Sequence, residues 1–402
     1  MGLKDLENFM TMTVLTGINW NVTFSIFFIV LIASIAVYSW AVPQGNKRWW
    51  GLALLLSVLV LVALQPVSEL VRMLLLDAAS FVAVALVWGQ SLLAAKAAKT
   101  YLWLLILAVL CVGAGLYLAG ILGGAALTQP GIVQTRLVVG LLIVGFAIKF
   151  ALFPLYFWLP NVAKTTSPMT TVLIVGILDI AEFVELASLR LTIPWVFDGY
   201  KILWLILALI SMFGGALMAL AQRDLKRMLA FSTIDDMGYL LLGVLIGSSM
   251  GFTGAMIGAL CHALFKVMLF GSVGIAEKGS GGPITLDNRG LSSRFPISGA
   301  AFIIGALGII GIPPLFGFVG RWRLYLAGIQ YGGIGLGLAM AGASALTIIY
   351  YVRAIHKVWL GPQQEDAPVT QKEPKIAVTV LIVLIAAALF LGLFPGFVFR
   401  QV

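Results

Sequence analysis

Ten ionisable side chains stand in stretches that are otherwise oily: Asp77, Lys149, Asp179, Glu182, Glu185, Asp235, Asp236, His262, Lys266 and Arg321. Three of them, Asp179, Glu182 and Glu185, fall at i, i+3 and i+6 in TTVLIVGILDIAEFVELASLRL, so on a helix each is a neighbour of the next. His262 and Lys266 share a face at i, i+4. Carboxylates crowded on a desolvated face cannot all ionise, and a desolvated lysine readily gives up its proton. A row of such groups is suited to passing protons. Other chemistries lack their residues. There is no phosphate-binding glycine loop and no Cys/His cluster for iron–sulfur or zinc, and the two histidines, His262 and His356, are poorly placed to share a haem. The sequence therefore offers no catalytic residue, no metal site and no cofactor site in this chain.

The elements that carry these residues follow from composition. Of 402 residues, 61% are hydrophobic and only 10% charged, far from the profile of a soluble domain. Apolar stretches near the ~20 residues needed to cross a bilayer recur throughout. Twelve helices are expected, at 23–42, 50–68, 72–95, 101–125, 137–159, 168–189, 202–221, 228–248, 252–276, 296–323, 333–358 and 376–399. The fold class is all-α, a polytopic membrane protein in contact with the lipid bilayer. Cys111 and Cys261 both lie inside spans, which argues against a disulfide framework. MGLKDLENFMTMT lacks a signal peptide's basic start, and 1–22 reads as a weakly amphipathic segment at the membrane surface.

The net charge of +9 does not point to nucleic acid, because the basic residues sit in short loops between spans. Connections after odd-numbered spans hold Lys47, Arg48, Lys96, Lys99, Lys164, Arg223, Lys226, Arg227, Lys278, Arg289, Arg294, Arg353, Lys357, Lys372 and Lys375. Those after even-numbered spans hold Arg72, Arg136, Arg190, Lys201, Arg321 and Arg323. The positive-inside rule then puts the odd connections in the cytoplasm and both termini outside.

Two spans are interrupted, the fifth by Pro154 and Pro160 and the tenth by Pro313 and Pro314 within GIPPLFGFVG. Proline inside a helix removes a hydrogen bond, and backbone freed at membrane depth must be packed in protein or line a wet cavity. Paired broken helices point to internal repeats around an ion or substrate path. A charge at bilayer centre costs at least about 2.5–3.5 kcal/mol on insertion scales, so each of the ten residues is a functional candidate by default. Individually they have plainer readings. Asp77 could reach the interface, Lys149 could form a structural ion pair, Asp235 and Asp236 could cap a break, His262 could be a packing residue, and Arg321 could neutralise freed carbonyls. Their joint presence from the fifth span to the tenth favours a relay.

The chain resembles the antiporter-like, proton-pumping subunits of respiratory complex I, shared with Mrp-type antiporters and membrane-bound hydrogenases. The stretches that carry the resemblance are GFAIKFALFPLYFWLPNVAKTTSP, ALAQRDLKRMLAFSTIDDMGYLLLG, CHALFKVMLFGSVG and GIPPLFGFVGRW, with YYVRAIHKVWLGP and LGLFPGFV near the C-terminus. The resemblance implies two inverted five-helix repeats, each with a discontinuous helix. On this chain they are expected at 71–222 and 223–358, flanked by an N-terminal segment 1–70 with two membrane helices and by a loop and last helix at 359–402. It implies that Lys149 is the central lysine of one half-channel, with Asp77 its acidic modulator or Gln90 in that place. Lys266 and His262 would be the central relay of the other half, with Arg321 at the exit. The chain departs from the family in having acids at 179, 182 and 185 where lysine is usual, Asp235-Asp236 where Ser-His is usual, and twelve spans against fourteen. The implied partners are other membrane subunits and redox-active peripheral subunits. The implied setting is an energy-converting membrane, the prokaryotic plasma membrane. A stand-alone Mrp-like antiporter and a structural subunit with a vestigial channel are the competing readings.

Overall fold

The computed structural model describes residues 18–123, 127, 131–362 and 372–397. Most of the segment 1–22, both termini and most of the connection 359–375 lie outside the described residues. Helices open where short polar side chains satisfy the free N–H groups of a first turn. Asn19 opens α1 (Trp20–Ala41), Asn46 opens α2 (Lys47–Ala63), Ser68 opens α3 (Glu69–Trp88) and Ser91 opens α4 (Leu92–Leu118). Then come α5 (Ile132–Lys149), α6 (Leu159–Thr165) and α7 (Pro168–Val172). A π-helical turn, Leu173–Leu178, joins α7 to α8 (Asp179–Thr192), and α9 (Pro194–Asp198) and α10 (Lys201–Ala221) follow. Asp224 and Ser248 cap α11 (Leu225–Ile246) and α12 (Ser249–Ser280). The last three are α13 (Pro296–Ile310), α14 (Phe316–Ala354) and α15 (Lys375–Leu393). Among the described residues there is no strand, only an isolated bridge between Asp224 and Thr285.

Nine helices among the described residues are long and apolar enough to cross a membrane. The other three expected spans are the 17-residue α2, the 15-residue α13, and the stretch 168–192 with its π turn. At about 1.5 Å per residue α14 would be nearly twice the thickness of a bilayer core. It does not run straight. Gly333, at φ 67° and ψ −167°, breaks the helix, and Tyr325 donates to Ser344 Oγ across the break, so the chain folds back on itself. Only glycine takes that backbone conformation without strain.

Both expected interruptions are present. In the first, α5 ends at Lys149 and residues 150–158 are irregular. The carbonyl of Ile148 accepts from Trp158 Nε1 at 2.9 Å, and Phe153 N donates to Ser211 Oγ at 3.2 Å, so the freed backbone is met by protein. Pro160 needs correction. It does not break the helix but sits in the first turn of α6, where a missing N–H costs nothing. Pro154 stands within the irregular stretch, as Pro313 and Pro314 do in the second interruption between Ile310 and Phe316. Counting crossings, the stretch 168–192, α10, α11 and α12 lie between the two broken helices. Four crossings reverse nothing in sum, and the fifth step makes the two broken helices run in opposite senses, as an inverted duplication requires.

Burial separates the helices into two kinds. The apolar 18-residue stretch of α11 is entirely enclosed by protein and that of α12 is 94% enclosed, against 28% for α15. Asp235, Asp236, His262 and Lys266 therefore ride on the two helices that lipid does not reach.

Candidate ion-translocation site

Lys149 is the last residue of α5, and its side chain is fully enclosed. Its Nζ lies 2.8 Å from Asp77 Oδ1 on α3 and 3.0 Å from Glu182 Oε1 on α8. Ser80, one turn beyond Asp77, donates to Glu182 Oε1 at 2.9 Å. One ammonium thus sits between two carboxylates from different helices, and a small change in helix position decides which of them it favours. Asp77, not Gln90, is the partner of Lys149. Gln90 stands past the C-terminal end of α3, where its Oε1 accepts from Ser167 N at 2.6 Å and its Nε2 meets Thr170 Oγ1. Trp49 Nε1 also donates to Thr170, at 2.8 Å. A cavity of about 350 Å³, lined by Asn46, Arg48, Trp49, Trp88 and Gln90 among others, opens beside this cluster.

Asp179 and Glu185 flank Glu182 on α8 and are as deeply buried. Asp179 Oδ2 and both carboxylate oxygens of Glu185 have no hydrogen-bond partner among the described residues. The π turn before Asp179 lies against α12, with Gly176 packed beside Ala263, next to His262. Extra residues of this kind inside helices are frequent at functional positions.

The second group is built on α11 and α12. Asp236 is held from two sides, by Arg321 NH2 at 2.7 Å from Oδ1 and by His262 Nδ1 at 2.8 Å from Oδ2. Arg321 also donates to the carbonyl of Ile309 at 2.9 Å and lies over the ring of Tyr239, 3.8 Å from its centroid. It therefore both pairs with an acid and covers a carbonyl freed near the end of α13. Asp235 faces elsewhere. Its Oδ2 accepts from Thr347 Oγ1 at 2.7 Å and Tyr350 OH at 3.2 Å, both on the returning half of α14. Among the described residues Lys266 has no carboxylate within ion-pair distance. It donates to Ser232 Oγ at 2.6 Å and to the carbonyl of Leu229 at 2.9 Å, and Tyr351 OH donates to the same serine at 3.1 Å. His262 and Lys266 share a helix face but bond to different partners.

Six buried polar atoms without a hydrogen-bond partner among the described residues belong to five of the ten: Asp179, Glu185, Asp235, His262 and Arg321. Buried groups of this kind are normally satisfied, often by ordered water.

Sequence reasoning passed over several members of these networks. Ser80 and Ser232 lie three residues from Asp77 and Asp235, a spacing that could have flagged them. Tyr239 has the same spacing from Asp236, whereas Thr347 and Tyr350 carry no such signal, since their role depends on the reversal at Gly333. Glu69, which accepts from Ser188 Oγ at 3.1 Å, was also missed, because it fell in the short connection expected between the spans 50–68 and 72–95.

A family model described as NADH:quinone oxidoreductase/Mrp antiporter, TM, matches residues 68–347. The chain belongs to this family. Subunit N of the NADH-quinone oxidoreductase of Geotalea uraniireducens is 30% identical over 77% of this chain and 67% of its own length. Across eight of the curated relatives matched, the alignments span from 44% to 74% of the relative. Among solved structures, respiratory complex I from Thermus thermophilus with bound aureothin contains a chain that is 25% identical. It aligns at a TM-score of 0.76 over 94% of this chain and 85% of that one. The Mrp complex from Dietzia sp. DQ12-45-1b gives a TM-score of 0.83 at 20% identity over 94% and 82%, a likeness of fold. The matched region of the NADH:quinone oxidoreductase/Mrp antiporter family takes in both broken helices and all ten ionisable residues, ending at the Thr347 that bonds Asp235.

Proposed function

We propose that this chain is an antiporter-like, proton-translocating membrane subunit of a redox-driven ion pump of the complex I or membrane-bound hydrogenase type. The observation that carries the reading is Lys149, enclosed in protein and poised 2.8 and 3.0 Å from two carboxylates on separate helices. An ammonium in that position exchanges one carboxylate for the other, or loses its proton, with small movements of α3, α5 and α8.

Protons enter on the face where the cavity beside Gln90 opens, which the loop charges assign to the cytoplasm. They pass Thr170 and the π turn to Asp179, Glu182 and Lys149. They continue through His262, Asp236 and Lys266 toward Asp235 and the region of Arg321. Arg321 itself keeps its charge and acts as a fixed electrostatic barrier, since a guanidinium does not deprotonate in proteins. The driving force comes from redox-active peripheral subunits, with other membrane subunits alongside, in the plasma membrane of a prokaryote. Both termini lie on the outer side.

Replacing Lys149 by Ala is expected to abolish proton pumping by the assembled complex in proteoliposomes while the complex still assembles. Undiminished pumping by that variant refutes the assignment. The likeness of fold to a chain of an Mrp complex favours a second reading, a cation/proton antiporter subunit without a redox partner. Iron–sulfur absorption in the purified native assembly decides between them, because only the first reading requires it.

A further inference from the structure

We propose that the Lys149 group has an outlet of its own, through Glu185, Ser188 and Glu69, onto the membrane face opposite the Gln90 cavity. The inference rests on the translocation reading above and adds a route that does not pass Arg321.

Glu69 is the first residue of α3 and Gln90 lies just past its end, so the two mark opposite faces of the membrane. Between them on α3 are Asp77 and Ser80, which meet Lys149 and Glu182. Helix α8 runs antiparallel alongside, so that Ser188, two turns beyond Glu182, donates to Glu69 Oε1 at 3.1 Å. Glu185 lies midway between Glu182 and Ser188 on that helix. It is fully enclosed, both its oxygens lack a partner among the described residues, and its electrostatic neighbours are Lys149, Asp77, Glu182 and Glu69. A carboxyl so placed is not used by any packing tie. It can take the proton released by Lys149 or Glu182. It then passes that proton through the Ser188 hydroxyl, or a water, to Glu69, which gives it to water at the surface.

The surface end carries a lid. Arg72 NH1 pairs with Glu69 Oε1 at 2.5 Å while Arg72 Nε donates to the carbonyl of Ala63, and the arginine side chain is only 11% exposed. The guanidinium sits over an acid whose second oxygen, Oε2, is buried and has no hydrogen-bond partner among the described residues. At the corresponding end of the second group Arg321 is held by Asp236, the Ile309 carbonyl and the Tyr239 ring.

The test uses the intact complex reconstituted in liposomes, with Glu69→Gln and Glu185→Gln beside Lys149→Ala, reading protons moved per electron. Loss of a positioned acid–base group slows its proton transfer by about a hundredfold or more. Both Gln variants are therefore expected to lose this outlet's share of the protons per electron. Ser188→Cys is expected to react with a membrane-impermeant maleimide only from the face bearing residues 64–68, and faster when Arg72→Ala is added. If both Gln variants pump like the parent while Lys149→Ala does not, the outlet is refuted and the parent reading stands. Undiminished pumping by Lys149→Ala removes both. A lowered melting temperature with an unchanged proton ratio in Glu69→Gln makes the Glu69–Ser188 contact a helix tie, and also overturns the proposal.

Discussion

Asp236→Asn isolates the electrostatics of the second group, because the cation it leaves behind cannot escape by losing a proton. Arg321 is 8% exposed at its side chain and, among the described residues, pairs with a single carboxylate, that of Asp236. Breaking a buried pair by removing one partner costs about 3–5 kcal/mol, most of it from the charge left uncompensated. Two contacts survive, the Ile309 carbonyl and the Tyr239 ring, and a desolvated cation–π contact is worth ~2 kcal/mol. The amide of Asn also keeps an acceptor near the guanidinium. The loss is therefore expected at the lower end, about 3 kcal/mol. Adding Arg321→Met should recover most of it, since exchanging a whole buried ion pair for apolar residues is often neutral or better. Unfolding titrations of the four proteins in mixed micelles close a double-mutant cycle, with an expected coupling of about 2–3 kcal/mol. If the double variant is as unstable as the sum of the singles, Arg321 is not an otherwise uncompensated charge and the reasoning fails.

Two further outcomes follow from the geometry. A Cβ added at Gly317 would lie 1.8 Å from the carbonyl oxygen of Gly308, so Gly317→Ala should push α13 and α14 apart at the second interruption. It is expected to destabilise the subunit by about 1–3 kcal/mol, as overpacking does, and a wild-type unfolding midpoint would contradict it. Thr347→Val keeps shape but removes the donor 2.7 Å from Asp235 Oδ2, leaving Tyr350 as its remaining donor among the described residues. Proton flux in proteoliposomes should fall while assembly persists, and unchanged flux would take Asp235 out of the relay.

Much of this was legible from residue types. A lysine beside a proline-broken run and carboxylates three apart announce themselves against an apolar background, and Lys149, Asp179, Glu182 and Glu185 needed nothing more. The pairing with Asp77 was also readable, though Gln90 competed for the place until α3 was seen to put Asp77 mid-helix against Lys149 and Gln90 past its C-terminal end. Other features depended on rotation about a helix axis. Asp235 and Asp236 are adjacent in sequence but about 100° apart around α11, so one joins Thr347 and the other joins Arg321 and His262. A linear reading placed them at one station. Pro160 looked like a breaker because sequence alone does not say where a second half-helix begins. Glu69 escaped because it fell in the connection before the expected span 72–95, where an acid is ordinarily solvated, and only the approach of Ser188 shows that it belongs to the interior.

The fold-back at Gly333 sets a register that residue identity alone does not protect. Thr347 and Tyr350 reach Asp235 because a fixed number of residues separates them from the bend. One residue inserted after Gly333 would rotate everything beyond it by about 100°, turning both hydroxyls from the acid while leaving hydropathy and composition untouched. Length in that short segment is thus a functional parameter in its own right, and a chain with every polar residue intact could still be disconnected there.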